Sequence, residues 1–266
     1  TDIYLSNSHF AVTLQARSVD TSRRPSSTKC MMHLSFPPAP GPRLLCHPTP
    51  PPDIDAVRSD ALRQICADTG LSSDDVTSCP TAERTVLEQQ GWLPRLGLQY
   101  HWHNNNYATF DDFLDTLSAR KRKSIKRERR DANAAGLTFE TLQGASITQA
   151  DWQAFYEFYR NTIDRKWGSA YLSAAFFPLM AQRLGERVVL MLARNGQTPV
   201  AAALNLMGAN TLYGRNWGCV GNWPFLHFEL CYYRAIEFAI AHGLQRVEAG
   251  AQGEHKIQRG YQPTLT

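Results

Sequence analysis

The clearest pattern of apolar and polar positions is a set of three extended runs between residues 188 and 219. These runs are Val188–Arg194, Pro199–Met207 and Thr211–Cys219, and short polar segments separate them. Asn195-Gly196, between the first two runs, is a strong signal for a two-residue hairpin turn. We therefore predict three consecutive antiparallel strands that form a β-meander.

The pattern changes to a helical period after the meander. Apolar residues recur at three- and four-residue spacing from Phe225 to His242, and Gly243 stands where a helix would end. A short strand, Arg246–Ala251, and the charged segment Gln252–Tyr261 follow. A strand–helix–strand crossover makes a parallel pair, and open sheets bind ligands beyond their strand ends. We therefore expect a binding site near this charged segment.

The first hundred residues have weaker patterns. Residues 1–36 hold Ser and Thr clusters without a sustained period, so we expect an atypical, poorly ordered segment. Helices are predicted at Asp53–Gly70 and Thr81–Gln90, and a half-buried strand at Leu98–His103. Between the two helices, Leu71–Pro80 stands where a strand is expected but is too polar for a buried one.

One long helix is predicted from Thr109 to Gly136, and its second half is strongly basic. Against the single acid Glu128, it carries eight cations at Arg120, Lys121, Arg122, Lys123, Lys126, Arg127, Arg129 and Arg130. Ordinary surface helices mix charges of both signs, so this field favours phosphates or another polyanion. RNA, a nucleotide-linked substrate and anionic lipid headgroups all fit, and a solvated helix face is the structural alternative.

The composition indicates which class of protein this is. The 266 residues are 43% hydrophobic with a formal net charge of +4, which is ordinary for a globular protein. No apolar run approaches the roughly 20 residues that cross a bilayer, and no signal peptide is apparent. The six cysteines form no C-x-x-C pair, which favours a reduced, cytoplasmic protein. Because the chain begins at Thr1 and ends at Thr266 after a loop, we expect a fragment.

Two groups of residues near the meander are candidates for binding. On a regular strand Tyr213, Arg215 and Trp217 share one face, and a half-buried arginine there needs an anionic partner. That partner is either a ligand or an internal carboxylate such as Glu229 or Glu248. At the helix start, His227 and Glu229 mark a place that favours anions such as pyrophosphate, although a first-turn glutamate also complements the helix dipole.

The charged segment after the last strand carries the strongest candidates for chemistry. Glu254 or His255 has the right chemistry for a general base toward an amine. Lys256 and Arg259 have the right charge to hold a phosphate or a carboxylate. A turn with solvated charges is the structural alternative. No metal site is predicted, because His101 and His103 have no third ligand at a recognisable spacing.

Four strings in these regions resemble the FemAB-like proteins of peptidoglycan biosynthesis and recognition, which belong to the Gcn5-related N-acyltransferase (GNAT) superfamily. The strings are TFDDFLDTLSARKRKSIKRERRDA, YGRNWG, LHFELCYYRAIEFAI and GAQGEHKIQRGYQP. The resemblance covers about residues 37–266 and implies tandem GNAT-like units of the α/β class, each a mixed sheet flanked by helices. Residues 37–106 would be an incomplete first unit and residues 107–266 the second.

The resemblance also implies a function. An acyl or aminoacyl group would pass from acyl-CoA or aminoacyl-tRNA to an amine, such as that of a cell-wall precursor, with no permanently bound cofactor. The donor's acyl arm would lie where neighbouring strands part, and its phosphates would meet the helix start after Gly218–Phe225. Donor-binding residues would then be Trp217, Gly218, Gly221, His227 and Glu229. The glycine-rich pyrophosphate fingerprint is absent from the sequence, which leaves aminoacyl-tRNA open as the donor.

The expected roles follow from these positions. Glu254 or His255 would take the proton of the amine, and Arg215 would contact the acyl carbonyl or a donor phosphate. Substrate would be held by Arg120, Lys121, Arg122, Lys123, Lys256, Arg259 and Tyr261. A non-catalytic module that recognises a cell-wall precursor or RNA through the basic helix is the alternative from another class. The oligomeric state is left open by the sequence.

Overall fold

The computed structural model describes residues 29–32, 41–43, 52–68, 73–165, 170–250 and 253–266. The chain divides into two compact units, residues 1–97 with Thr266, and residues 98–265. The sequence places the division later, between residues 106 and 107. The difference arises because Leu98–His103 is a strand of the second unit's sheet.

The first unit contains a small parallel sheet and two helices within its described residues. Strand β1 (Lys29–Met32) pairs in parallel with β2 (Ser73–Val76), and helices α1 (Ile54–Asp68) and α2 (Thr81–Gln89) follow the predicted positions. The polar segment at residues 71–80 therefore does contain a strand. Most of the N-terminal segment expected to be poorly ordered lies outside the described residues. That this unit is an incomplete GNAT-like unit stays a prediction.

The second unit is built on one seven-stranded mixed sheet, which confirms the predicted fold class. The order is β4-β5-β6-β7-β8-β3-β9, and only the β7–β8 pair is parallel. The three predicted meander strands are present to within one residue. The strands are β3 Leu98–His103, β4 Leu137–Gln143, β5 Val188–Asn195, β6 Thr198–Met207, β7 Thr211–Cys219, β8 Arg246–Glu248 and β9 Gln262–Leu265.

Helices cover both faces of this sheet. On one face α5 and α6 pack against alternate residues of β5 and β6, and on the other α3, α4, α7 and α8 pack against the residues between them. A π-helical turn, Glu229–Tyr233, joins α7 to α8. The helices are α3 Phe110–Asp115, α4 Ala119–Asn133, α5 Gln149–Asp164, α6 Phe176–Leu184, α7 Leu226–Phe228 and α8 Arg234–Ala241.

The single long helix predicted from Thr109 is wrong, because the structure has two helices there. Thr109 caps α3 through a capping box with Asp112. The chain then leaves the helix, and the Ser118 side chain accepts a hydrogen bond from Lys121 N to begin α4. The basic residues therefore stand on a helix of their own.

The C-terminal segment is more regular than predicted. Strand β8 ends at Glu248, earlier than the predicted Ala251, and Glu254–Arg259 forms a 3-10 helix instead of an open loop. Strand β9 then pairs with β3, which adds an edge strand that the sequence did not indicate.

Candidate functional site

The parallel strands β7 and β8 part soon after they pair. Their register covers only Thr211–Tyr213 with Arg246–Glu248, while β7 continues to Cys219. A β-bulge lies at the same point, because Gly214 and Asn216 have partners on β6 and the residue between them has none. The sheet therefore opens at the carboxyl ends of β7 and β8, the place where open α/β sheets bind ligands.

The bulge overturns the prediction that Tyr213, Arg215 and Trp217 share one face. The extra residue shifts the alternation of side chains. Arg215 Nη2 donates to Tyr171 Oη at 3.2 Å on the side of α5 and α6, whereas Trp217 meets the His227 ring on the opposite side, with centroids 5.2 Å apart. Burial lowers the pKa of Arg215.

A group of aromatic and imidazole rings lies beside the opening, on the side of α7. We call it the aromatic cluster, and it consists of Trp217, His227, Phe228, Tyr232 and His255. Ring centroids are 5.2 Å apart for His227 and Tyr232, and 5.5 Å apart for Phe228 and His255. His255 Nε2 lies 3.0 Å from Tyr232 Oη. Desolvation, with the charges of Arg259 and Lys256, lowers the pKa of His255, which favours the neutral form of its imidazole.

Lys256 lies buried just below the end of β8. Lys256 is 3% exposed, and its Nζ donates to Ala249 O at 2.6 Å and to Gly250 O at 3.1 Å. The ring of Tyr100 lies 5.5 Å away. Among the described residues no carboxylate forms an ion pair with it. Burial consequently lowers the pKa of Lys256 to about 8.

Arg259, predicted to hold substrate, is occupied by partners within the protein. It donates to both carboxylate oxygens of Glu128, at 3.1 and 2.8 Å, and to His255 O at 2.8 Å. Its guanidinium also lies 3.4 Å from the Phe228 ring centroid. Arg259 thus fixes the 3-10 helix to α4, and a substrate would have to displace those partners. Tyr261 is also buried, whereas Glu254 is exposed.

Glu229, predicted near the donor, is likewise held inside the fold. It is 0% exposed, and its Oε1 lies 3.1 Å from Arg129 Nη2 and 3.1 Å from Arg234 Nε. Glu229 is therefore held by two internal ion pairs, a role that differs from both donor binding and the complement to the helix dipole considered from the sequence. Gly218 also has a packing role, because an added Cβ would lie 2.2 Å from Phe158 O. Gly221 has a φ of +83°, which a turn there requires.

The basic residues of α4 fall into two sets. Lys121 Nζ donates to Ile257 O at 3.1 Å, and Arg122 pairs with Asp115 at 3.2 Å, so both have structural partners. Arg120 and Lys123 are exposed, and no acid in the described part of the chain pairs with them. A shallow cavity of about 690 Å³ runs between side chains of α4 alone, so it is an open surface groove and lies apart from the aromatic cluster.

Phe228 and Tyr232 were not predicted as site residues. Their four-residue spacing is the same as that of core positions on a helix, so the sequence alone gave no reason to separate them from the core. The available signal was that His227 precedes them and His255 follows them in the chain, and that both histidines were already candidate site residues.

Over the residues that the structure describes, no group of three or more potential ligands could hold a metal ion. Nor is any helix of those residues both long and apolar enough to span a bilayer.

Comparison with known proteins identifies the family. The model of the FemAB-like family, described as peptidoglycan biosynthesis/recognition, matches residues 21–266. The chain belongs to the FemAB-like family. The match begins earlier than residue 37, where the resemblance in the sequence was placed, and so includes β1.

Solved structures share this fold at low identity. The structure of L-PGS from Bacillus licheniformis matches with a TM-score of 0.58 and 9% identity, covering 95% of this chain and 77% of that one. The crystal structure of FemX matches with a TM-score of 0.52 and 10% identity, covering 99% and 84%. The C-terminal domain of a putative lysylphosphatidylglycerol synthetase from Agrobacterium fabrum gives 0.54 and 12%, covering 94% and 69%. No curated protein matches the chain in sequence.

Proposed function

We propose that this FemAB-like protein transfers an acyl or aminoacyl group from acyl-CoA or aminoacyl-tRNA to an amine, such as that of a cell-wall precursor. Family membership supports the coarser function, a peptidoglycan-related acyl or aminoacyl transferase. The observation that carries the proposal is the opening between β7 and β8, with a neutral imidazole and an unpaired lysine beside it. A cytoplasmic location is part of the proposal, because both donors are made there.

The aromatic cluster suits the donor. Acyl-CoA and aminoacyl-tRNA both carry an adenine, and aromatic side chains bind bases by stacking. Trp217, His227 and Phe228 would supply that surface, with the acyl group directed into the opening. Arg215 lies on the other side of the sheet, so we assign it to an acidic group of the acceptor.

His255 and Lys256 suit the chemical step. The attacking amine must be neutral, and the neutral imidazole of His255 can take its proton, with exposed Glu254 as the second candidate. As the amine adds to the carbonyl, negative charge develops on the carbonyl oxygen. An ammonium has three donors, and Lys256 uses two on backbone carbonyls. The third is available to that oxygen. When the adduct collapses, the thioester C–S bond of acyl-CoA or the ester C–O bond of aminoacyl-tRNA breaks, and the imidazolium of His255 returns the proton to the leaving sulfur or oxygen.

The experiment measures transfer of a labelled group from acetyl-CoA or from aminoacyl-tRNA to a UDP-linked muropeptide. Lys256→Ala should lower turnover by about 10²–10³-fold, the usual effect of losing a donor to a developing oxyanion. Lys126→Ala removes an exposed lysine and serves as the matched control. Equal rates for the two variants would remove Lys256 from the mechanism.

A non-catalytic binding module is the second candidate function, and the exposed cations of α4 favour it. Either protein would be stabilised by a bound muropeptide, as a rise in melting temperature, so the two candidates differ in turnover. A binder would show that stabilisation without releasing any product from either donor.

A further inference from the structure

The outer face of α4 carries a row of cations that the proposed reaction does not use. We call it the basic stripe, and it consists of Arg120, Lys123, Arg127 and Arg130, all exposed. Their spacing of three, four and three residues places them along one side of the helix. At 1.5 Å per residue the row is about 15 Å long.

The opposite face of α4 is anchored in the second unit. Ile125 and Ala132 are each 1% exposed. Glu128 pairs with Arg259, and Arg129 pairs with Glu229. Because these contacts fix the helix, the basic stripe is presented in one orientation, with its four residues along one side of α4.

The charges of the basic stripe lack internal compensation. In the described part of the chain, the acid paired with a stripe residue is Asp131, which lies 3.2 Å from Arg130 and next to it in the sequence. Neighbouring cations at three- and four-residue spacing repel one another, and Arg120 stands at the positive end of the helix dipole. An array of anions outside the protein would relieve both effects.

We propose that the basic stripe docks the protein onto the surface of an anionic lipid bilayer. A layer of phosphate headgroups offers anions along the whole length of this row of cations. The stripe contains no aromatic side chain on which a nucleic-acid base could stack, which favours headgroups over RNA. It contains no apolar side chain either, so the contact is peripheral and screened by salt. This inference is independent of the proposed transfer reaction.

Vesicle flotation tests the proposal with the full chain. Vesicles of phosphatidylcholine and phosphatidylglycerol are compared with vesicles of phosphatidylcholine alone, at low and at high salt. The variant R120Q/K123Q/R127Q/R130Q removes the stripe. The control R95Q/R160Q/R183Q/R187Q removes four other exposed arginines and has the same net charge. Cooperative melting of both variants shows that they fold.

The wild-type protein should float with the anionic vesicles at low salt only. Each lost cation of the stripe should weaken binding by about fivefold, and the control variant should bind nearly as well as the wild type. Equal losses in the two variants, or no flotation of the wild type, would overturn the proposal. So would a single-stranded RNA oligonucleotide that binds through the stripe and displaces the protein from vesicles at equal phosphate concentration, because the stripe would then be a nucleic-acid surface.

Discussion

The two faces of the large sheet differ in how many charged side chains they bury. The face under α5 and α6 is packed mainly by apolar and aromatic side chains such as Phe155 and Phe177, both 0% exposed, and its buried acid, Asp151, pairs with Arg194 at 2.6 Å. The face under α4, α7 and α8 also buries Glu128, Glu229, Arg259 and Lys256. Three of these four groups are ion-paired, whereas the partners of Lys256 among the described residues are two backbone carbonyls and the ring of Tyr100. The ion-paired charges therefore stabilise this face, and Lys256, which has no carboxylate partner among the described residues, is the candidate for chemistry.

The largest expected effect comes from removing a paired charge. Glu229→Ala should lower the free energy of unfolding by about 3–5 kcal/mol, because Arg129 and Arg234 would lose a buried partner. Glu237→Ala is the matched control, since Glu237 also pairs with Arg129 but is 38% exposed in its side chain. Its cost should stay below about 1 kcal/mol. Urea denaturation measures both, and equal costs would contradict the distinction between the buried and exposed carboxylates.

A smaller effect is expected on the apolar face. Gly218→Ala places a methyl group against the backbone of α5, 2.2 Å from Phe158 O, so β7 or α5 must shift. We expect a loss of about 1–3 kcal/mol in the free energy of unfolding, as for other overpacked sites. An unchanged melting temperature would show that α5 packs less closely on β7 than the structure has it.

The smallest expected effect concerns the hydrogen bond between Tyr232 and His255 in the candidate site. Tyr232→Phe removes the hydroxyl that lies 3.0 Å from His255 Nε2. The proposed role of His255 leaves Nδ1 to take the proton of the amine, so Nε2 carries the hydrogen of the neutral ring and donates it to this hydroxyl. The imidazolium donates more strongly than the neutral ring, so losing the acceptor should lower the pKa of His255 by about one unit at most, with little loss of stability. The acidic limb of the transfer rate would move to lower pH by the same amount. NMR titration of His255 measures the shift, and a pKa that rises would contradict this role of the hydroxyl.

The sequence predicted local elements better than their partners. The meander strands were found because apolar runs and the Asn195-Gly196 turn are local signals. The break before Ser118 was missed, since the helical spacing continues through it. Strand β9 was missed because its pairing with β3 joins segments more than 150 residues apart in the chain. The bulge at Arg215 was missed for the same reason, because it is defined by the register with β6.

For the candidate site, the sequence identified the segments that lie near the opening. It did not distinguish residues that line the opening from residues whose charge is paired inside the fold. His227, His255 and Lys256 lie around the opening, whereas Glu229 and Arg259 have buried partners of opposite charge. Both kinds look alike in the sequence, since a charged residue near a strand end has no local mark of its partner. Only long-range contacts separate a paired charge from an unpaired one.

The most direct test of the central claim is the pH dependence of the transfer rate. The pKa of Lys256 is lowered from 10.5 to about 8, so its positive charge is present below that pH and lost as the pH rises through it. We predict that transfer declines above about pH 8 and that Lys256→Arg, whose charge persists, moves this decline to higher pH. A rate that stays level through this range, or an identical decline in the variant, would contradict a role for the charge of Lys256.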